Sequence, residues 1–364
     1  MKHIIKLAAL AVIALASCTK NDIDPSAKDR QEIQFDTPVM SLATKSATET
    51  AGNFPTDQVF NVYAHYYPGL YTSFNEGATY MNNVTVTYNA DKGTNGSWVS
   101  ASDKYYWPNE GTLTFAAYSP IEGIGTVSYD ESGFSFDGFT VKDNPDDQID
   151  LLFSERSYNM TKTSQKDLDP YYYGVQINFL HALSSILFKV KVDEILVGED
   201  SPQYEFKIKK LELLNVYNTG NFNQNLPITG INQVTPAASA NDWICDTSSE
   251  TDYVIFEGEK VLNTADPVTM AGNQANATSL ILMPQSLKHN ENNVTVRVTY
   301  DLRHAQMNPG EYLTGNVATA QLSTNTVSGW LRGKRYIYTL TIGRNEIKFS
   351  PKVETWVSEP NINI

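Results

Sequence analysis

The chain is poor in the residues that covalent stapling, metal binding and most catalysis require. Its 364 residues include two cysteines, Cys18 and Cys245, and five histidines. Beyond the N-terminus the histidines are His65, His181, His289 and His304, none spaced to share a metal with another. There is no Cys-x-x-Cys and no His-Glu-x-x-His, so the short zinc motifs are excluded. A glycine-rich phosphate loop and a Gly-x-Ser-x-Gly nucleophile elbow are also missing. No cofactor is implied, and the chain reads as a non-enzyme. Basic charge is scarce too, with 27 Lys and Arg against 41 Asp and Glu and a net charge of −14. Such a surface repels phosphate backbones and anionic headgroups, which excludes nucleic acid as a partner. Heptads, repeats and a proline-rich linker are absent, and no apolar run approaches the ~20 residues that span a bilayer.

What the N-terminus does contain points to export. Lys2 and Lys6 precede an apolar run from Leu7 to Leu15, and Leu15-Ala-Ser-Cys18 closes it. A short apolar run behind a basic start is a signal peptide. Its ending on a cysteine is the lipobox of bacterial lipoproteins, in which Cys18 is acylated and residues 1–17 are removed. Several acyl chains on one residue anchor a protein stably at a membrane surface. Loss of Lys2 and Lys6 leaves the remainder more acidic still, so the lipid and not charge would hold it there. Residues 18–30, with Asn21, Asp22, Asp24 and Pro25, are too polar to pack and read as a flexible tether. With Cys18 acylated, Cys245 has no partner and reads as a small buried residue beside Trp243 and Ile244.

The body reads as β nearly throughout. It carries 21 Tyr, 15 Phe and 5 Trp, with Val, Thr and Ile filling the runs between turn clusters. Period-two alternation puts Val84, Val86 and Tyr88 on one face, and likewise Ile186, Phe188, Val190 and Val192. Val294 to Tyr300 and Tyr336 to Ile342 repeat the pattern. The phase changes at Lys209-Lys210, which predicts a β-bulge. Only Phe179 to Ser185 offers a turn or two of helix. The length suits two β-sandwiches, placed at residues 31–180 and 181–364.

Three groups of polar and aromatic residues invite a site. Asp143, Asp146, Asp147 and Asp150 lack the ligand spacing of a calcium loop and read as a solvated acidic turn. His181, in Phe179-Leu-His-Ala-Leu183, reads as a hydrogen-bonded core residue. Tyr63, Tyr66, Tyr67 and Tyr71 would form a sugar-binding platform if exposed, although dense aromatics in a β protein mostly pack. That platform is the basis of an alternative reading, a surface glycan-binding lipoprotein of a polysaccharide-uptake system.

An ordered set of motifs resembles the fimbrillin family of Bacteroidota, subunits of type V pili made from lipoprotein precursors. It runs through Glu32-Ile-Gln-Phe-Asp36, Phe60-Asn-Val-Tyr-Ala64, Tyr106-Trp-Pro108 and Leu113-Thr-Phe-Ala-Ala-Tyr-Ser-Pro120. It continues with Asn178-Phe-Leu-His-Ala-Leu-Ser184, Leu282-Met-Pro-Gln285 and Gly333-Lys-Arg-Tyr-Ile-Tyr338. It closes with Asn345-Glu-Ile-Lys-Phe349 and Val353-Glu-Thr-Trp356. The resemblance implies two tandem transthyretin-like (Greek-key) β-sandwich domains. It implies a structural pilus subunit (shaft, tip or anchor) at the cell outer membrane, assembled by donor-strand exchange and supporting cell adhesion. Its partners would be other pilus subunits, the outer membrane through the lipid before processing, and a host or bacterial surface ligand not identified by the sequence. In the family a protease removes the first strand, and a C-terminal strand of another subunit fills the groove. Ile33 and Phe35 are the candidate removable strand here. The family's cut usually follows an arginine after that strand; this chain offers Lys45 there, and Arg30 before it. Ile347, Phe349, Pro351 and Val353 alternate as candidate donor side chains, as do Ile362 and Ile364.

Overall fold

Alternation of apolar and polar residues lays down most of the strands, because one face of each sheet meets a core and the other meets water. The computed structural model describes residues 31–36, 39–40, 52–92, 96–163, 174–197, 204–224, 239–240, 242–270, 279–289, 292–343 and 347–356. Cys18, Arg30, Lys45, Ile362 and Ile364 lie outside them.

The first half contains β1 (Val39–Met40), β2 (Gly52–Asn53), β3 (Val59–Tyr67), β4 (Ala78–Asn89), β5 (Ser97–Ser100) and β6 (Thr112–Ser119). It continues with β7 (Thr126–Asp130), β8 (Gly133–Thr140), β9 (Leu152–Ser154), β10 (Ser157–Met160) and β11 (Asn178–His181). One sheet runs β2-β1-β11-β9-β6-β3-β4-β5, with β10 also on β6. Every residue of β6 is buried, because both faces of this strand are covered. Leu113, Phe115 and Ala117 meet one core with Phe60, Val86 and Trp98. Ala116 and Tyr118 meet a second core with Phe134 and Phe136.

The second half contains β12 (Ser184–Val192), the single-turn α1 (Glu194–Val197), β13 (Tyr204–Tyr217), β14 (Thr219–Asn223), β15 (Ser239–Ala240) and β16 (Trp243–Cys245). Then come β17 (Glu250–Leu262), β18 (Val268–Met270), β19 (Leu280–Leu282), β20 (Thr295–His304), β21 (Leu313–Gln321), β22 (Lys334–Ile342) and β23 (Ile347–Thr355). One sheet is β18-β12-β22-β23, with β19 on β12, and another is β17-β13-β20-β21. Ile186, Phe188, Val190 and Val192 are buried in one core with Val296, Val298, Tyr338 and Leu340. The alternation expected for β12, β20 and β22 is therefore present. Register to both neighbours of β13 slips between Ile208 and Lys210, which is the expected bulge. It keeps both lysines out of the core while Ile208 and Leu211 both face in. The helical turn expected at Phe179–Ser185 is not formed: that stretch holds the end of β11 and the start of β12. Its loss of alternation comes from burial between two cores, with Phe179 in one and Ala182 and Leu183 in the other, not from a helical face.

A further sheet, β15-β16-β14-β8-β7, joins the halves, because β8 pairs with β14. Phe222 of β14 has ring centroids 5.6 Å from Phe136, 4.9 Å from Phe153 and 5.4 Å from Trp243. Polar ties add to this seam. The Gln148 amide oxygen accepts from the Ile281 N–H at 2.7 Å, and the Trp243 indole donates to the Ala182 carbonyl at 2.6 Å. Arg332 Nε donates to Asp242 Oδ2 at 2.9 Å, and the guanidinium lies 5.1 Å from the Phe153 centroid.

The outer face of β13 and β20 is a ladder of opposite charges. Arg297 donates from two nitrogens to Glu212 at 2.8 and 2.9 Å, and Lys210 Nζ lies 2.9 Å from the same carboxylate. The hydrogen bonds from Arg297, with help from Lys210, hold the Glu212 carboxyl down to about 2.

Two outcomes follow from these contacts. Phe222→Ala should cost about 3–5 kcal/mol, as for other buried aromatic truncations. Because its neighbours come from both halves, it should lower the urea midpoint of a single shared transition. Two transitions with only one displaced would show the halves to unfold independently. The stabilisation from Glu212, whose folded pKa is depressed, is complete above its ordinary unfolded value and disappears as pH falls through about 2. Glu212→Gln should therefore flatten the loss of urea stability between pH 5 and pH 2 relative to the parent.

Candidate assembly site

The segment Gln31–Asp36 lies in the first core as an inserted strand. Ile33 and Phe35 are buried, whereas Glu32, Gln34 and Asp36 are half-buried, so alternation alone decides which side chains enter. The backbone is held on two sides. On one, Ile33 N donates to the Tyr105 carbonyl at 2.8 Å, Phe35 N to Trp98 O at 2.9 Å, and Trp107 N to Gln31 O at 3.0 Å. On the other, Asp36 N donates to Val175 O at 3.0 Å and Val175 N to Gln34 O at 2.8 Å. Pairing resumes with β1, parallel to β11, where Val39 faces Asn178 and Met40 faces Phe179. Residues 34–36 thus run beside Val175, and residues 39–40 beside Asn178 and Phe179, towards the junction with the second half.

The Phe35 ring meets Phe60 and Phe115 edge-on at centroid distances of 5.8 and 5.7 Å. Phe54, Trp98 and Phe179 complete the aromatic box, with Phe60 5.4 Å from Trp98 and 5.6 Å from Phe179. The rim is polar: Lys92 Nζ donates to Glu32 Oε2 at 2.6 Å, and Ser97 Oγ donates to Gln34 Oε1 at 3.2 Å. Gly174 is needed where it stands, since a Cβ there would come within 2.4 Å of the Gln34 carbonyl oxygen and 2.6 Å of its carbon.

At the other end of the chain, β23 pairs antiparallel with β22 from Ile342↔Ile347 to Lys334↔Thr355. Ile347 and Phe349 pack against the second core, Pro351 is half-buried, and Val353 is exposed. Trp356 follows and is buried, its ring stacked on His181 at 4.0 Å and 14°. His181 Nδ1 lies 2.7 Å from Asp150 Oδ2, and both side chains are buried. His181 is thus the hydrogen-bonded core residue expected. Asp150 departs from the solvated acidic turn assigned to it, because its partner is drawn from β11. Asp143, Asp146 and Asp147 are exposed or half-buried, with Asn144 accepting from the Asp146 N–H.

The tyrosines do not share one platform. Tyr67 is buried, and Tyr63 packs beside Tyr129 at 5.0 Å under the β7–β8 hairpin. Tyr66 packs against the opposite core, and Tyr71 lies edge-on to Tyr67 at 5.2 Å. Cys245 is buried with its sulfur 3.4 Å from Met283 Sδ, and burial pushes its thiol up to about 12. Among the described residues no three His, Cys, Asp or Glu side chains group as metal ligands would. Residue-by-residue reading missed Gly174 and the Trp98 and Val175 backbone that receive the segment. The pairing of Glu32-Ile-Gln-Phe-Asp36 with distant strands has no local signature beyond its own alternation.

The profile of the fimbrillin-like family matches residues 44–356. The chain belongs to the fimbrillin-like family. No curated protein matches it. Among solved structures, a fimbrial protein from Bacteroides vulgatus is 20% identical, with a TM-score of 0.56 over 90% of this chain and 100% of that one. A candidate cell adhesion protein from Bacteroides uniformis is 18% identical, with a TM-score of 0.50 over 91% of this chain and 100% of that one. At such identities the likeness is one of fold: the all-β sandwich architecture of this fimbrillin-like chain is that of fimbrial proteins.

Phe35→Ala should cost about 3–5 kcal/mol through the emptied aromatic box. Gly174→Ala should loosen the same segment without removing any core side chain. In both variants hydrogen exchange at the Phe35, Trp98 and Val175 amides should accelerate while the β13–β20 ladder keeps its protection. Unchanged exchange at those amides would show that residues 31–36 contribute nothing to closing this core.

Proposed function

We propose that the chain is a structural subunit of a surface pilus, exported as a lipoprotein through Cys18 and assembled by donor-strand exchange. Its fimbrillin-like membership supports a pilus role. The observation that carries the finer reading is the segment Gln31–Asp36. It occupies a core as a strand, yet it contributes two buried side chains and a run of backbone hydrogen bonds that any extended chain would reproduce. The family profile begins at residue 44, beyond this segment.

In this reading, cutting after Lys45 releases residues 31–40 with the acylated N-terminus. The vacated groove then presents unpaired Trp98 and Val175 backbone groups and the aromatic box around Phe60 and Phe115. An edge in that state recruits a strand, with backbone bonds supplying pairing and alternate side chains filling pockets. Retaining the first strand until cleavage therefore prevents premature polymerisation. The donor of another subunit would come from the C-terminal alternations, Ile347, Phe349 and Val353 or Ile362 and Ile364. Arg30 is the other basic residue near the strand, and a cut there would leave the groove filled. The working partners are other pilus subunits, with the outer membrane as anchor before processing, and the role is structural and adhesive, not catalytic. The chain divides near residue 180 into two sandwiches, with the β7–β8 hairpin crossing between them.

N-terminal sequencing and intact mass of protein recovered from the cell surface test this reading. A start at Ser46 without lipid is expected. A start at an acylated Cys18 would sink the removal step and leave a permanently closed, membrane-anchored protein.

A further inference from the structure

The two sheets of the second half end in strands that differ in how they protect their open backbones. β17 carries Glu250, Asp252, Glu257, Glu259 and Lys260, and its register on β13 shifts three times. β23 carries Lys348, Pro351, Lys352 and Glu354, and β18 and β19 are three residues each. Charge, proline, bulges and brevity are the devices that keep an edge from pairing with another chain. β21 uses almost none of them. It is nine residues long, Leu-Thr-Gly-Asn-Val-Ala-Thr-Ala-Gln, with neither charge nor proline. Its register on β20 shifts between Tyr300 and Leu302, which leaves residues 316–321 in an even ladder. Among the described residues β21 pairs with β20 alone.

The open side of β21 can be specified group by group. Leu322 N donates to Val294 O at 3.0 Å, and residues of an antiparallel ladder turn their backbone groups alternately towards and away from the neighbour. Ala318 and Ala320 therefore face β20, whereas Val317, Thr319 and Gln321 present N–H and C=O outwards. The side chains of those three are exposed, and Ala318 and Ala320 are half-buried against the second core. The charges beside them on β20 are already partnered within the chain. Arg297 is held by Glu212, Arg303 lies 3.4 Å from Glu205, and Asp301 accepts from Gly315 N at 3.0 Å. A chain with a net charge of −14 thus offers here an edge at which a like copy meets balanced charge.

We propose that β21 pairs antiparallel with β21 of a second copy of this chain, about a two-fold axis at Thr319. In that register Val317 lies opposite the second copy's Gln321, Thr319 opposite its own equivalent, and Ala318 opposite Ala320. Every outward N–H and C=O of Val317, Thr319 and Gln321 finds its complement, and no charge is set opposite a like charge. Directly opposed threonines are a favourable cross-strand pair. A register centred on Val317 would instead set Thr319 opposite Gly315, where the backbone leaves the even ladder with a φ of 73°. The product is one continuous sheet running from β17 of one copy to β17 of the other, and a two-fold contact of this kind closes at two copies. It ties subunits side by side and leaves the groove that holds Phe35 untouched.

Sedimentation and disulfide trapping test this on the full chain carrying Cys18→Ser, which leaves the buried Cys245 as its single thiol. The sedimenting mass should rise from one chain to two with concentration. Val317→Lys and Thr319→Pro should each abolish that rise and leave the urea midpoint unchanged, since Thr319 turns its N–H away from β20. Val317→Lys alters only an exposed side chain and carries the test if Thr319→Pro fails to fold. On oxidation Thr319→Cys should give a two-chain disulfide, because residues paired at the axis have Cα atoms about 5.5 Å apart. Val317→Cys should give none, because its two copies would stand about 13 Å apart along the strands. A one-chain mass at every concentration would overturn the proposal. So would a two-chain species that survives Val317→Lys, which would place the contact on another surface. A disulfide from Val317→Cys, or none from Thr319→Cys, would overturn the pairing about Thr319. Neither readout depends on removal of the first strand.

Discussion

Burial of β6 on both faces is the constraint on which the rest of the molecule depends. A strand carrying Leu113, Phe115 and Ala117 on one side and Ala116 and Tyr118 on the other needs two covers. The main sheet covers only part of the first face, through Trp98 of β5 and Phe179 of β11. One cover is the segment Gln31–Asp36 with Phe35 in its aromatic box. The other is the β7–β8 hairpin, whose outer partner β14 belongs to the second half. Covering the first face thus couples the core to the chain's N-terminal segment, and covering the second welds it to the C-terminal half.

The seam between the halves shows the same economy in its polar groups. Arg332 and Asp242 are taken out of water together, with a direct hydrogen bond and an aromatic ring beneath the guanidinium. His181 and Asp150 form a second buried pair, capped by Trp356. Burying a polar or charged group without a partner is costly, so each pair requires both contributing segments to be in place. Segments around residues 150, 181, 242, 332 and 356 are thereby held in place at the junction. The tie explains how the last strand is anchored at the junction by polar and aromatic groups, while the inserted segment is held by backbone bonds and two apolar side chains.

Much of the fold is legible in the sequence because burial on one face writes a period of two. β12, β20 and β22 are read directly from Ile186 to Val192, Val294 to Tyr300 and Tyr336 to Ile342, and the Lys209-Lys210 bulge from a change of phase. Reading fails where that rule does not apply. Phe179 to Ser185 suggested a helical turn because residues buried on both sides lose their alternation. Asp150 looked like part of a solvated turn because its partner His181 lies 31 residues away. Ile33 and Phe35 could be picked out from their own spacing. The residues that receive them, Trp98, Phe60, Phe115 and Val175, come from four separate places in the chain.

Gly174 shows what kind of specificity this groove exercises. A wall that approaches the Gln34 carbonyl so closely meets the peptide group there and leaves no room for a side chain of its own. Its selectivity is therefore largely metrical: it reads whether apolar residues fall on the beat set by the Phe35 pocket, and meets the residues between only at the polar rim of Lys92 and Ser97. Many sequences would satisfy such a reader, while one inserted or deleted residue in an otherwise perfect strand would put every side chain on the wrong side.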